Sequence, residues 1–321
     1  MFTHILALLD GSILAECILP HVVAFARAFD ARVTIVHVVE DTQSDEEATI
    51  DPLQWEMQKT EAQVYLDEVA RRLHSEGVVA ATVLLEGRVA ESIGDFARQE
   101  DVDLLVLSTH GQSGLSRWNV SSVAYKVVTN APTSLLLIRA YQPQRVELTA
   151  MRYAQILAPL DGSQRAECIL PHIETLAEQH DGSILLVHVV RCPEIPRHVP
   201  LSTEEQELYD RVTALNHSVA DEYLEEQQKR LSLNSAIDSE VQILESDDVA
   251  AALHELDASV NADLVVLGAH GYSGSRKWPY GSVTTSFITY GSHPLLIVQD
   301  IAAEEIDPTP AQQATSEKAG H

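Results

Sequence analysis

Cysteine is scarce in this chain of 321 residues, with three in all, at positions 17, 168 and 192. Three is unlike the dense, even set of a secreted disulfide framework, and no C-x2-C or H-x3-H spacing marks a metal site. Three thiols in a reducing cytoplasm are expected, with no metal held by protein ligands alone. Long apolar runs are also missing. No stretch approaches the roughly 20 residues needed to span a bilayer, and the opening residues, with His4 and Asp10 around a short apolar run, lack the basic start and cleavage site of a leader. A globular cytoplasmic protein without membrane attachment is the expectation. Positive charge is the third shortage: 21 Lys and Arg stand against 48 Asp and Glu, a net charge of −27. It divides into −10 over residues 1–150 (11 basic, 21 acidic) and −17 over the rest (10 basic, 27 acidic). Such a field repels nucleic-acid phosphates and anionic lipid, so any anionic ligand must be held by local groups.

What is present is one unit written twice. Asp10-Gly11-Ser12 and Ala15 to His21 recur as Asp161-Gly162-Ser163 and Ala166 to His172, and His37-Val38-Val39 recurs as His188-Val189-Val190, all 151 positions on. Asp103, His110-Gly111, Ser113-Gly114, Trp118 and Ser122-Val123 recur as Asp263, His270-Gly271, Ser273-Gly274, Trp278 and Ser282-Val283, 160 positions on. The second copy has therefore gained nine residues in its middle. A unit of this length fits one domain per copy. The expected boundaries are residues 1–140 and 153–300, joined by a polar linker, 141–152, and followed by a tail, 301–321, whose lack of apolar periodicity predicts disorder.

Each copy opens with a short apolar run (Ile5 to Leu9, Ile156 to Leu160) ending in Asp-Gly-Ser, then shows helical spacing from Ala15 to Phe29 and its equivalent. A β-branched run follows, then a long amphipathic helix near 56–76 and 203–231, and then further alternation of strand and helix. Strands apolar along their whole length predict a parallel sheet covered on both faces, with ligands beyond the carboxyl ends of the strands. The fold class expected is α/β, two tandem Rossmann-like doubly wound domains, each with a five-stranded, mainly parallel sheet.

After the apolar strand Leu264 to Leu267 the second copy reads Gly268-Ala269-His270-Gly271, nine residues, then Gly281-Ser282 at the start of a helical pattern. Glycines let a backbone approach a ligand closely, and the N–H groups of such a loop and helix start can face phosphate oxygens. No Gly-Lys-[Ser/Thr] follows, so this is no Walker loop, nor is it a G-x-G-x-x-G fingerprint. The segment resembles the G-x2-G-x9-G-[S/T] motif of the universal stress protein family, and the likeness extends over nearly all of both copies. The resemblance implies ATP, possible with Mg2+, held across the ends of the first, second and fourth strands. Pro159, Asp161 and Val189 would then lie near adenine and ribose, and Gly268, Gly271, Gly281, Ser282 and Val283 around the phosphates.

The first copy departs from the motif at two of three glycines, reading Ser108-Thr109-His110-Gly111 and then Ser121-Ser122, with Leu8 in place of Pro159. Asp10, Val38, Gly111, Ser121 and Ser122 are its corresponding, weaker candidates, and one stronger and one weaker or vacant site are expected. Asp10 and Asp161 also suit turn capping. His110 and His270 suit structural hydrogen bonds, and His37 and His188 are expected to pack within the sheet. Cys17 and Cys168 read as small buried hydrophobes. Trp118 and Trp278 read as packing residues, and Arg117, Arg276 and Lys277 as loop charges within reach of a phosphate.

The leading expectation is an ATP-binding regulatory or sensing module of the stress response, with pairing of its two domains, possible homodimerisation through outer faces, and an unidentified protein partner. The alternatives are a slow ATPase or autokinase, which lacks a visible Asp/His pair or metal-binding carboxylate set, and a scaffold that binds no nucleotide.

Overall fold

A computed structural model describes residues 1–40, 52–110, 120–140, 147–191, 202–234, 237–271 and 279–300. The first half runs β1 (His4–Leu8), α1 (Leu19–Phe29), β2 (Arg32–Val39), α2 (Pro52–Ser75), β3 (Ala80–Glu86), α3 (Val89–Gln99), β4 (Leu104–Ser108), α4 (Ser122–Asn130) and β5 (Ser134–Ile138). The second repeats it as β6 (Gln155–Pro159), α5 (Leu170–His180), β7 (Ser183–Val190), α6 (Thr203–Asn234), β8 (Ser239–Glu245), α7 (Val249–Val260), β9 (Leu264–Gly268), α8 (Ser282–Tyr290) and β10 (Leu295–Val298). The helical pattern beginning at Ala15 proves to be two elements, because a 3-10 turn over Ala15–Ile18 precedes α1. Pro20 explains the placement: it has no N–H to donate and fits the first turn of an α-helix, where that donor would have no partner in any case.

All strand pairings within each half are parallel, in the orders β3-β2-β1-β4-β5 and β10-β9-β6-β7-β8. The halves then join edge to edge. Strands β5 and β10 pair antiparallel, Leu136 opposite Leu296, giving one ten-stranded sheet. Leu136 and Leu296 are equivalent positions of the two copies, so an internal two-fold axis passes between them. The pairing covers one edge of each half, leaving β3 and β8 as the outer edges of the joined sheet. Alternate strand residues feed two cores, with α1, α2, α5 and α6 over one face and α3, α4, α7 and α8 over the other, each core continuous across the seam.

The seam carries pairs related by the two-fold. His21 Nδ1 lies 2.7 Å from the Tyr153 hydroxyl, while the equivalent His172 packs its ring 4.5 Å from that of Phe2. Phe2 has no hydroxyl, and His172 Nδ1 bonds instead to the Cys168 carbonyl at 3.1 Å. Across the other face, Arg139 donates to the carbonyls of Phe287 and Ile288, and the Tyr280 hydroxyl donates to the Val128 carbonyl at 2.8 Å. Tyr153→Phe, which makes the two pairs alike, is expected to cost about 1 kcal/mol, the net worth of one buried hydrogen bond. Chemical denaturation of the variant and the parent checks this.

The candidate nucleotide site

The site lies at the switch point of the second half, where the chain, having run outward through β6, β7 and β8, crosses back to β9. A cavity of about 670 Å³ opens there, over the carboxyl ends of β6, β7 and β9 and beside the start of α8. Pro159, Asp161, Val189, Gly268, Gly271, Gly281, Ser282 and Val283 all line it. The structure thus brings together the eight positions singled out in the second copy. His188, expected to pack within the sheet, instead lines the cavity, its Nδ1 2.8 Å from the Leu160 carbonyl.

Local chemistry explains how each wall is held. Asp161 Oδ1 accepts from the Ser163 amide at 3.0 Å and from its hydroxyl at 2.6 Å, closing the turn in which Gly162 takes φ +82°, a conformation that favours glycine. The other carboxylate oxygen lies over Gly271, where a Cβ would collide with it. The capping and site roles of Asp161 therefore coexist. Gly281 is different: a Cβ there would meet nothing nearer than the Ala269 carbonyl at 3.7 Å, and its φ is −69°. The fold does not require glycine at this position.

The first half shows what a side chain does there. Ser121, at the equivalent position, accepts from the Ala124 amide at 3.1 Å and caps α4. Gly281 makes no side-chain cap on α8. An amide of the first helical turn that the first half satisfies internally is thus left uncapped by a side chain in the second, at the positive end of a nine-residue helix. Ser108, in place of Gly268, bonds its hydroxyl to the His110 carbonyl at 2.8 Å. Both serines are accommodated in the first half; in the second a Cβ at Gly268 would come within 3.2 Å of the His270 carbonyl, whereas one at Gly281 would meet only ordinary contacts. Asp10 forms the same turn as Asp161, with Oδ1 2.9 Å from the Ser12 amide, Val38 packs partly buried against a core, and Ser122 opens α4. Gly111, Arg117, Trp118, Arg276, Lys277 and Trp278 lie outside the described residues.

Arg191 and one face of α6 line the cavity and escaped the sequence reading. Arg191 stands at the end of β7 where the first copy has Glu40, a reversal of charge on the cavity wall. Helix α6, with 32 residues against 24 in α2, supplies Leu215, Asn216, Val219 and Tyr223 to another wall. Only position-by-position comparison of the copies could have flagged Arg191, and no local pattern marks the α6 residues. The thiols of Cys17 and Cys168 are pushed up to about 12, chiefly by burial, so neither supplies a thiolate near neutral pH.

The description "Universal stress protein family" fits the chain twice, over residues 1–139 and 152–299. The chain belongs to the universal stress protein family. Curated relatives match about one copy's length: "Universal stress protein MJ0531" of Methanocaldococcus jannaschii is 31% identical over 141 residues, 40% of this chain and 78% of that protein. "Universal stress protein YxiE" of Bacillus subtilis is 28% identical over 149 residues, 43% of this chain and all of that one. These relatives match one copy's length, so the universal stress unit occurs here in tandem. The tandem fold has solved counterparts. A putative universal stress protein from Pseudomonas aeruginosa superposes with a TM-score of 0.62 at 15% identity, covering 100% of this chain and 98% of that one. One from Archaeoglobus fulgidus gives 0.61 at 16%, covering 92% and 96%. No helix among the described residues is long and apolar enough to cross a membrane.

Proposed function

We propose that this universal stress protein is a regulatory module that binds ATP in its second half, with the first half a weaker or vacant site. The observation that carries the reading is the start of α8. Gly281 contributes neither a cap nor a Cβ, while Ser121 in the first half contributes both. First-turn amides at a helix N-terminus favour phosphate oxygens. The cavity volume of about 670 Å³ falls within the range of small-molecule sites, and its walls divide in a way that suits a nucleotide. Val189 and Pro159 offer apolar contact to a base, Asp161 an acceptor for ribose hydroxyls, and Gly268, Gly271, Gly281 and Val283 close backbone approach to phosphates. The Ser282 hydroxyl can bond a phosphate oxygen or a Mg2+ carried in with the nucleotide, and Arg191 supplies local positive charge in a chain of net charge −27.

On this reading residues 1–140 and 153–300 act as paired domains in the cytoplasm, and the nucleotide state changes the chain's affinity for a protein partner. Mass spectrometry of nucleotide released by denaturing the freshly purified chain tests it. About one ATP per chain is expected. Two would give the first half a site of equal strength, and ADP alone would favour turnover over regulated binding. No released nucleotide, together with no heat of binding on titration with ATP, would overturn the proposal.

A further inference from the structure

Three segments of the second half converge on one carboxylate. Asp300, whose side chain is 2% exposed, lies beyond the end of β10; its Oδ2 accepts from Arg165 Nε at 2.5 Å and its Oδ1 from His270 Nδ1 at 2.9 Å. Arg165 belongs to the turn that follows Asp161, and His270 lies between Gly268 and Gly271. The carboxylate therefore ties the first-strand turn to the glycine loop, two adjoining walls of the cavity that already touch where Asp161 lies over Gly271. Burial would raise the Asp300 carboxyl, yet the bonds from His270 and Arg165 outweigh it and hold the group below the usual carboxylate range. It stays ionised, and His270 is fixed as a donor through Nδ1.

The first half lacks this arrangement as a unit. Leu14 stands at the position of Arg165 and Ala140 at that of Asp300. His110 Nδ1 is instead 3.0 Å from the hydroxyl of Thr109, and the Ala140 amide donates to that hydroxyl at 3.2 Å. Where His270 meets a carboxylate from another segment, His110 meets the hydroxyl of its neighbour in the chain. Both members of the ion pair are absent from the same half in which serines occupy two of the three glycine positions. A buried ion pair is a poor device for stability, because apolar residues of similar volume commonly serve as well. Its confinement to the half with the intact glycine motif calls for another explanation.

We propose that Asp300 is a positioning residue for nucleotide binding. Through His270 and Arg165 it holds the glycine loop against the turn that carries Asp161, so that both are in place for the phosphates. The inference rests on the nucleotide reading above. Its test compares the full chain with Asp300→Ala and with the double variant Arg165→Leu/Asp300→Ala, which copies the first half. ATP titration, thermal unfolding and amide hydrogen exchange over residues 268–271 are measured on all three.

Asp300→Ala is expected to lower the thermal midpoint, weaken ATP binding about tenfold and speed exchange in the loop. The double variant is expected to regain most of the midpoint, having removed the guanidinium that Asp300 held, while affinity stays about tenfold low and loop exchange stays fast. Recovery of affinity together with the midpoint would make Asp300 merely structural and overturn the proposal. Should the parent chain bind no ATP, the nucleotide reading fails by itself. Loop exchange then still decides whether Asp300 holds the loop, since exchange equal to the parent in both variants would reject it.

Discussion

Gly281→Val is expected to weaken ATP binding to the second half by about 10- to 100-fold, the effect of about 1–3 kcal/mol of overpacking. The fold should survive, since the new Cβ has no neighbour closer than 3.7 Å and the backbone there already has the extended conformation of Ser121. Isothermal titration with ATP, paired with a thermal scan, separates the two effects. Gly271→Val provides the contrast. Its Cβ would collide with the Asp161 carboxylate, so binding and thermal midpoint should fall together. Unchanged affinity in Gly281→Val would mean that any nucleotide sits away from α8.

Acid is expected to act on the seam between the halves. Burial lowers His21 to about 3 and His172 to about 4, so both stay neutral in the folded chain where the unfolded chain takes up protons near 6.5. Stability from this source is complete above the unfolded value and is lost as pH falls toward the folded values. By pH 5 the loss relative to alkaline pH amounts to about 2 kcal/mol for each ring, the slope approaching about 1.4 kcal/mol per pH unit below the unfolded value. His180, packed on Tyr153 at 5.1 Å, is lowered by burial in the same direction. His293 opposes them. Its hydrogen bond to the buried Asp257 carboxylate at 2.8 Å raises it, so its contribution is present below the unfolded value and is lost as pH rises through the raised one. Urea unfolding at pH 7, 6 and 5 should show net destabilisation in acid, with about one proton less of slope in His172→Phe. An identical slope in the variant would exclude burial of that ring as a cause.

The alternation of strand and helix was legible because each half repeats apolar runs and helical spacing with turn residues between them. β2 and β7 end where the His-Val-Val repeats predicted, and the glycine positions of the second copy converge on one cavity. The edge-to-edge seam was not legible. Leu135 to Ile138 and Leu295 to Val298 are apolar throughout, and nothing in such a run states which strand will lie beside it or in which direction. Asp300 was hidden for a related reason. It stands where the last strand gives way to the polar tail, and its partners lie 30 and 135 positions away. Substitutions between the copies carried the signal that periodicity could not: Leu14 against Arg165, and Ala140 against Asp300.

The two-fold through Leu136 and Leu296 also bears on how such a chain can change over generations. In a dimer of separate identical subunits every substitution is made twice, and near the symmetry axis the two copies meet, so a useful change on one side imposes its counterpart on the other. Joining the subunits end to end lifts that constraint. His21 can keep a hydroxyl partner in Tyr153 while His172 faces Phe2, and a helix start can be sealed in one half and open in the other. One gene then holds two independently mutable copies of the unit inside a single ten-stranded sheet, so that the helix start of either can change while the strand pairing that joins them is kept.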